Sequence, residues 1–219
     1  MKKWFLLCFL FPLALVASVD KKGDFQIWNT DGLQLRLSNK SSICADMEFR
    51  YGDDSSTLFY KHYHFVLNYS PNRFITIGPG FRFVSHRFEK KWAKEKQPFC
   101  DLTLFFANSP QVIISDRNRV AYRILPKELG GKNRYLYRNR LLFLFPWRMG
   151  RMGLNPYFSD EIFWQQAHGF FQNRVNFGLI IPRNNRAFFD VFYSYRSLKN
   201  LQDKWVYHNI LGLGAYFHF

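Results

Sequence analysis

A two-residue rhythm runs through almost the whole chain and sets an apolar face against a charged one. Ile43, Ala45, Met47, Phe49 and Tyr51 alternate with Cys44, Asp46, Glu48 and Arg50. Tyr135, Tyr137, Leu141, Phe143 and Phe145 alternate with Arg134, Arg138, Arg140 and Leu142, with Asn139 a polar exception on the apolar side. Val175, Phe177, Leu179 and Ile181 alternate with Arg174, Asn176 and Gly178. Ala187, Phe189, Val191, Tyr193 and Tyr195 alternate with Asp190, Ser194 and Arg196, although Phe188 and Phe192 make that polar face mixed. Neighbouring side chains on a strand point to opposite faces, so this period predicts strands. Burying such a charged face in a soluble sandwich is costly, and here it recurs strand after strand. An apolar outside in lipid around a polar lumen reconciles both faces.

The start of the chain points the same way. Lys2 and Lys3 precede an apolar run from Trp4 to Val16, followed by Ala17 and Ser18. A short basic start, an apolar stretch and a small-residue exit predict a cleavable signal peptide over 1–18, and the run is too short for a spanning helix. The rest, 19–219, is predicted as one exported domain, with no repeat, linker or low-complexity segment. Net charge is +15, or +13 without Lys2 and Lys3. A basic balance often marks nucleic-acid binding, but export makes that partner unexpected. Aromatics make up 20% of the residues, including 26 Phe and 12 Tyr. On a soluble surface that abundance invites aggregation, whereas a membrane wall uses it. Cys44 and Cys100 fall on opposite strand faces and are expected to stay unpaired.

Connections alternate in length. Short turns fall at 38–41, 70–72 and 182–185, and longer polar stretches at 52–57, 87–97, 126–133, 164–172 and 197–204. Short periplasmic turns and long outer loops characterise outer-membrane barrels. The predicted strands are 24–38, 42–51, 57–69, 73–86, 98–107, 112–125, 133–146, 153–163, 172–182, 186–196 and 204–219. That makes eleven, but single-chain bacterial barrels carry even counts, and Asp31-Gly32 is a strong hairpin signal. Splitting the first segment there predicts twelve strands with both termini in the periplasm; the alternative is ten, with that segment outside the wall. The fold class is therefore all-β, a single antiparallel transmembrane barrel.

The closing stretch is ILGLGAYFHF, Ile210 to Phe219. Leu211, Leu213, Ala215 and Phe217 share one face with the final Phe219, and Gly214 lies on the other. A closing strand of this form resembles the assembly signal of outer-membrane proteins, which implies the barrel-assembly machinery as a partner read through Gly214, Phe217 and Phe219. Across the mature chain, Asp24-Phe25-Gln26-Ile27-Trp28, Tyr137-Arg138-Asn139-Arg140 and Pro156-Tyr157-Phe158-Ser159-Asp160-Glu161-Ile162-Phe163 resemble the bacterial family called domain of unknown function 2490, small outer-membrane barrels. The resemblance implies fold and location and carries over no catalytic residue.

Parity assigns Asp46, Glu48, Arg50, Arg82, Asp101, Arg119, Arg123, Arg134, Arg138, Arg140, Glu161, Arg174, Asp190 and Arg196 to the lumen. Arginine forks suit carboxylates in a restricted interior, so an ion-paired filling is one reading. An arginine-lined path favouring anions is the other. His62 and His64 share the lumenal face. If the turn at Pro71 sets the register, they oppose Gly80 and Gly78, which reads as packing room; no metal or other cofactor is expected. Arg87, Lys90, Lys91, Lys94 and Lys96 with Trp92 form a basic outer loop suited to lipopolysaccharide phosphates, so membrane lipids and lipopolysaccharide are the other expected partners. No Ser and His stand two apart on one strand face, as an adjacent nucleophile–base pair requires, so catalysis is not expected. A lipid-modifying enzyme built on a cross-strand pair and a surface-ligand-binding barrel remain the alternatives.

Overall fold

The computed structural model describes residues 23–88, 91–166, 168–200 and 203–219; the predicted signal peptide lies outside them. Eleven strands follow one another: β1 (Phe25–Arg36), β2 (Ser41–Gly52), β3 (Thr57–Asn72), β4 (Ile75–Phe88), β5 (Lys91–Asn108), β6 (Ile113–Arg123), β7 (Arg134–Leu144), β8 (Asn155–Gln165), β9 (Gly169–Asn184), β10 (Ala187–Lys199) and β11 (Trp205–His218). Each pairs with its sequence neighbour, and β1 closes on β11 to complete a barrel.

The count is eleven rather than twelve or ten, and the reason lies at Gly32. A type I′ hairpin turn needs positive φ at its central residues, but Gly32 sits in unbroken strand, with Asp31 opposite Met47 and Gly32 opposite Asp46. This glycine serves space: a Cβ there would lie 2.5 Å from the Tyr216 ring. An odd count makes the closing seam parallel, with Phe25 beside Asn209 and Gln34 beside His218; the other ten pairings are antiparallel. It also puts the start of β1 and the end of β11 at opposite rims, not together. Gly23 N donates to Tyr207 O at one rim, and Phe219 N donates to Gln34 O (2.9 Å) at the other.

Further boundaries move, and the expected alternation of short turns with long loops is not kept: ten residues, 145–154, separate β7 from β8 on the side of the predicted short turns, while on the other side β4 ends at Phe88 with β5 starting at Lys91, and β8 ends at Gln165 with β9 starting at Gly169. β3 continues through Pro71, which has no N–H to give and falls where the register slips between Tyr69 and Asn72. Asn72 Oδ1 accepts from Phe74 N (2.8 Å) and closes the turn two residues later than Pro71 suggests. His62 therefore faces Val84 and His64 faces Arg82, not Gly80 and Gly78. Gly80 instead makes room for Phe99, whose ring would lie 2.3 Å from a Cβ there. The stretch 87–97 is largely strand as well. From Lys91 onward it belongs to β5, with Lys94 and Lys96 exposed and Ala93, Glu95 and Gln97 buried.

The wall is inverted relative to a soluble protein. Phe65, Phe83, Phe177, Phe189, Leu213 and Phe217 stand exposed outside, while Glu95, Arg119, Glu161, Arg174 and His208 are buried inside. Asn139, the exception on the outer face, has its own partners. Its Nδ2 donates to Asp116 Oδ1 (2.5 Å) and Asn118 Oδ1 (3.1 Å), and Tyr137 OH donates to the same Asn118 oxygen. On the next strands Asn173 Nδ2 donates to Asp160 Oδ1 (2.6 Å). These outward polar groups satisfy one another.

Candidate functional site

The lumen is a mesh of guanidinium, carboxylate and aromatic groups, and register explains its form. β6 and β7 set Arg117 opposite Arg140, Arg119 opposite Arg138 and Arg123 opposite Arg134; β9 and β10 set Arg174 opposite Arg196. Like charges on one rung are unfavourable, so the fold needs carboxylates reaching in from elsewhere.

Glu161, 4% exposed, supplies the largest share. Its Oε1 accepts from Arg138 Nη2 (2.6 Å) and Arg117 Nη2 (3.3 Å), and its Oε2 is 2.7 Å from Arg174 Nη2. Asp101 takes Arg119 in a two-point fork, both contacts at 2.6 Å. Glu95 does the same for Arg123 at 2.5 and 2.8 Å and also meets His86 Nε2 at 3.1 Å. Such two-point contacts are the strong form of the arginine–carboxylate bond. A chain of polar contacts continues round the wall from Arg119. Arginine only donates, so its Nη2 bonds His64 Nε2 as acceptor (3.2 Å), and His64 Nδ1–H donates to Asp46 Oδ2 (2.6 Å). Asp46 Oδ1 lies 3.2 Å from His62 Nε2, His62 Nδ1 lies 3.5 Å from Glu48 Oε1, and Arg50 Nε donates to Glu48 Oε1 (2.5 Å).

Aromatic rings fill the space between charges. Arg50 lies 3.7 Å above the ring of Trp28, with Arg174 5.2 Å from it; Arg174 also sits over Phe163 and Arg119 over Phe99. Guanidinium stacked on a ring keeps its in-plane donors for carboxylates. A mid-lumen cavity of about 190 Å³ remains, lined from ten of the eleven strands. At the rim where β1 and β11 end, a larger recess of about 600 Å³ opens, bordered by Arg36, Lys40, Arg186 and Phe219.

Of the residues assigned to the lumen, Asp46, Glu48, Arg82, Arg119, Arg138, Arg140, Glu161, Arg174 and Asp190 line the cavity. Arg50, Asp101 and Arg123 bond beside it. Arg196 donates to Gln172 Oε1 (3.0 Å). Arg134 sits at the opposite rim, at the start of β7, donating to His168 Nε2 (3.0 Å) in an exposed position. Inward charges that escaped the sequence reading are Arg117, Glu95 and Asp24, the last 2% exposed and accepting from Gln26 Nε2 at 2.9 Å. Arg117 shares the parity of Arg119, and that parity alone would have found it. Glu95 lies in the stretch read as loop, where Lys94 and Lys96 flanking an acid already show the strand period. Cys44 and Cys100 are both free thiols, Cys100 exposed and Cys44 half-buried. Among the described residues, no group of three or more His, Cys, Asp or Glu is placed to hold a metal ion. Gly214 faces inward beneath the Tyr216 ring, while Phe217 and Phe219 are exposed outside.

An apolar exterior, a closed eleven-stranded wall and an ion-paired interior define a β-barrel of the inside-out class. No curated protein and no solved structure matches the chain. It belongs to the family described as Protein of unknown function (DUF2490), whose model matches residues 25–207.

Proposed function

We propose that the chain is a non-enzymatic outer-membrane barrel, exported by the general secretory route, whose arginine-rich lumen is structural or weakly conducting with a preference for anions. The inversion of the wall carries this reading: rings outside and paired charges inside suit lipid around a polar interior. Eleven strands lie between the eight that side chains fill and the sixteen that leave an aqueous channel. The mesh around Glu161 and the small cavity favour a narrow, obstructed path over a wide pore. Surplus arginine gives that path a positive potential, which repels cations and admits anions. Outside, Lys94 and Lys96 near the start of β5, with Lys61 stacked 4.5 Å from the Trp92 ring, suit the phosphates of lipopolysaccharide.

Reversal potentials of the purified protein in a planar bilayer under a potassium chloride gradient test the lumenal part. The expected result is a small conductance reversing toward the chloride equilibrium potential. Cation preference overturns the charge assignment. Lipid turnover by the same preparation, abolished by one serine or histidine substitution, overturns the non-enzymatic reading.

A further inference from the structure

The arginines of the mid-lumen cavity are not all matched. Arg119 has Asp101, Arg50 has Glu48, and Arg138, Arg174 and Arg117 share Glu161. Arg82 and Arg140 line the same cavity, and neither has a carboxylate oxygen within ion-pair distance among the described residues. The buried Nε atoms of Arg82, Arg117 and Arg140 have no hydrogen-bond partner. Arg117, for its part, holds Glu161 by one 3.3 Å contact while standing directly opposite Arg140. Counting the cavity-lining charges together with Asp101 and Arg50, seven arginines face five carboxylates, Asp46, Glu48, Asp101, Glu161 and Asp190. Two positive charges are left over around this cavity.

We propose that this cavity is a binding site for one small dianionic oxyanion of the phosphate class, held by Arg82, Arg117 and Arg140. Charge sets the valence, since a single dianion cancels the surplus of two. Geometry sets the chemistry. A guanidinium offers fixed, planar N–H forks that match oxygen pairs, and a spherical halide uses only part of such a fork. Unfilled donors in a buried site cost free energy until an acceptor meets them, and the opposed Arg117 and Arg140 repel until an anion lies between them. Size agrees: about 190 Å³ is the space of about six waters, enough for one phosphate-sized ion with part of its hydration. On the same cavity wall Asp190 Oδ2 accepts from the Tyr157 hydroxyl at 3.1 Å, while its buried Oδ1 has no hydrogen-bond partner; this carboxylate is already counted among the five.

This inference rests on the lumenal reading above, yet it is tested apart from conduction. The purified, folded barrel in detergent is titrated calorimetrically with inorganic phosphate, against chloride at equal ionic strength. The expected result is one saturable phosphate site per chain, weakened at least tenfold in Arg140→Gln and in Arg82→Gln. Phosphate is also expected to raise the urea midpoint of the unsubstituted barrel where chloride does not, because a ligand of the folded state stabilises it by mass action; this second readout needs no variant to fold. Phosphate binding no stronger than chloride, or undiminished in R82Q/R140Q, overturns the proposal. An anion-directed reversal potential without saturable phosphate binding sinks this site and leaves the proposed function standing; saturable binding with cation-directed reversal does the opposite.

Discussion

Glu161→Gln is expected to lower the stability of the refolded barrel by about 3–5 kcal/mol, the cost of removing one partner from a buried ion pair. With a urea dependence of about 2 kcal/mol per molar, the unfolding midpoint falls by about 2 M. The carboxylate bonds Arg138, Arg117 and Arg174 at 2.6, 3.3 and 2.7 Å, and no other acid among the described residues pairs with those three. The amide oxygen of Gln accepts without carrying charge, so the buried Arg138 and Arg174 and the partly exposed Arg117 remain uncompensated. Space is unchanged, which separates charge from packing. Replacing the whole group, as in Glu161→Leu with Arg117→Met, Arg138→Met and Arg174→Met, is expected to recover most of the loss, because a buried ionic cluster exchanged for apolar groups of similar volume is often neutral. Urea unfolding followed by tryptophan fluorescence checks both. A midpoint for E161Q within about 0.3 M of the unsubstituted protein would show that Glu161 is not the keystone of the lumen.

The other large effect is expected at the seam. Removing Phe219 deletes two backbone hydrogen bonds, Phe219 N to Gln34 O (2.9 Å) and Arg36 N to Phe219 O (2.8 Å). It also removes an outward ring that is 62% exposed. Each hydrogen bond contributes about 1 kcal/mol and a ring held in an apolar medium about 2 kcal/mol. Their sum of about 4 kcal/mol shifts the closure equilibrium by about a thousandfold. The seam is the one parallel pairing in the wall, and the parallel pattern is slightly less stable per residue, so little is held in reserve there. The folded, heat-modifiable band in the membrane fraction is expected to fall below about a tenth of its normal amount, with Phe219→Tyr retaining most of it. Insertion of the truncated chain at the normal level contradicts this view of the seam.

Much of this architecture was legible in residue order because faces follow from parity, and parity needs no knowledge of neighbours. Ile43 through Tyr51 and Val175 through Ile181 give up their strand and their outward side to inspection. Register is another matter, since it depends on where a turn closes. Pro71 reads as a turn residue, but Asn72 closes the loop, and the slip moves both histidines along β4. Gly32 reads as half of a hairpin because sequence cannot show the Tyr216 ring that needs its space. Arg117 opposite Arg140 and Arg119 opposite Arg138 are invisible for the same reason: each arginine is plain in the sequence, and the rung between them is not. What the lumen must do to hold like charges side by side emerges only from the pairing.

The account turns on which side of the wall meets hydrocarbon, and two native thiols mark the two sides. Cys100 stands exposed on the outside near the middle of β5; Cys44 points inward, its Sγ accepting from Asn68 Nδ2 at 3.3 Å. Single-thiol proteins, Cys44→Ala and Cys100→Ala in the chain expressed without residues 1–18 and so without Cys8, are labelled while unfolded with a small fluorophore and refolded into vesicles whose acyl chains carry bromine, a short-range quencher. A lipid-facing wall predicts strong quenching of the label on Cys100 and little on Cys44. A Cys100 label untouched by brominated chains yet freely quenched by aqueous iodide would contradict it.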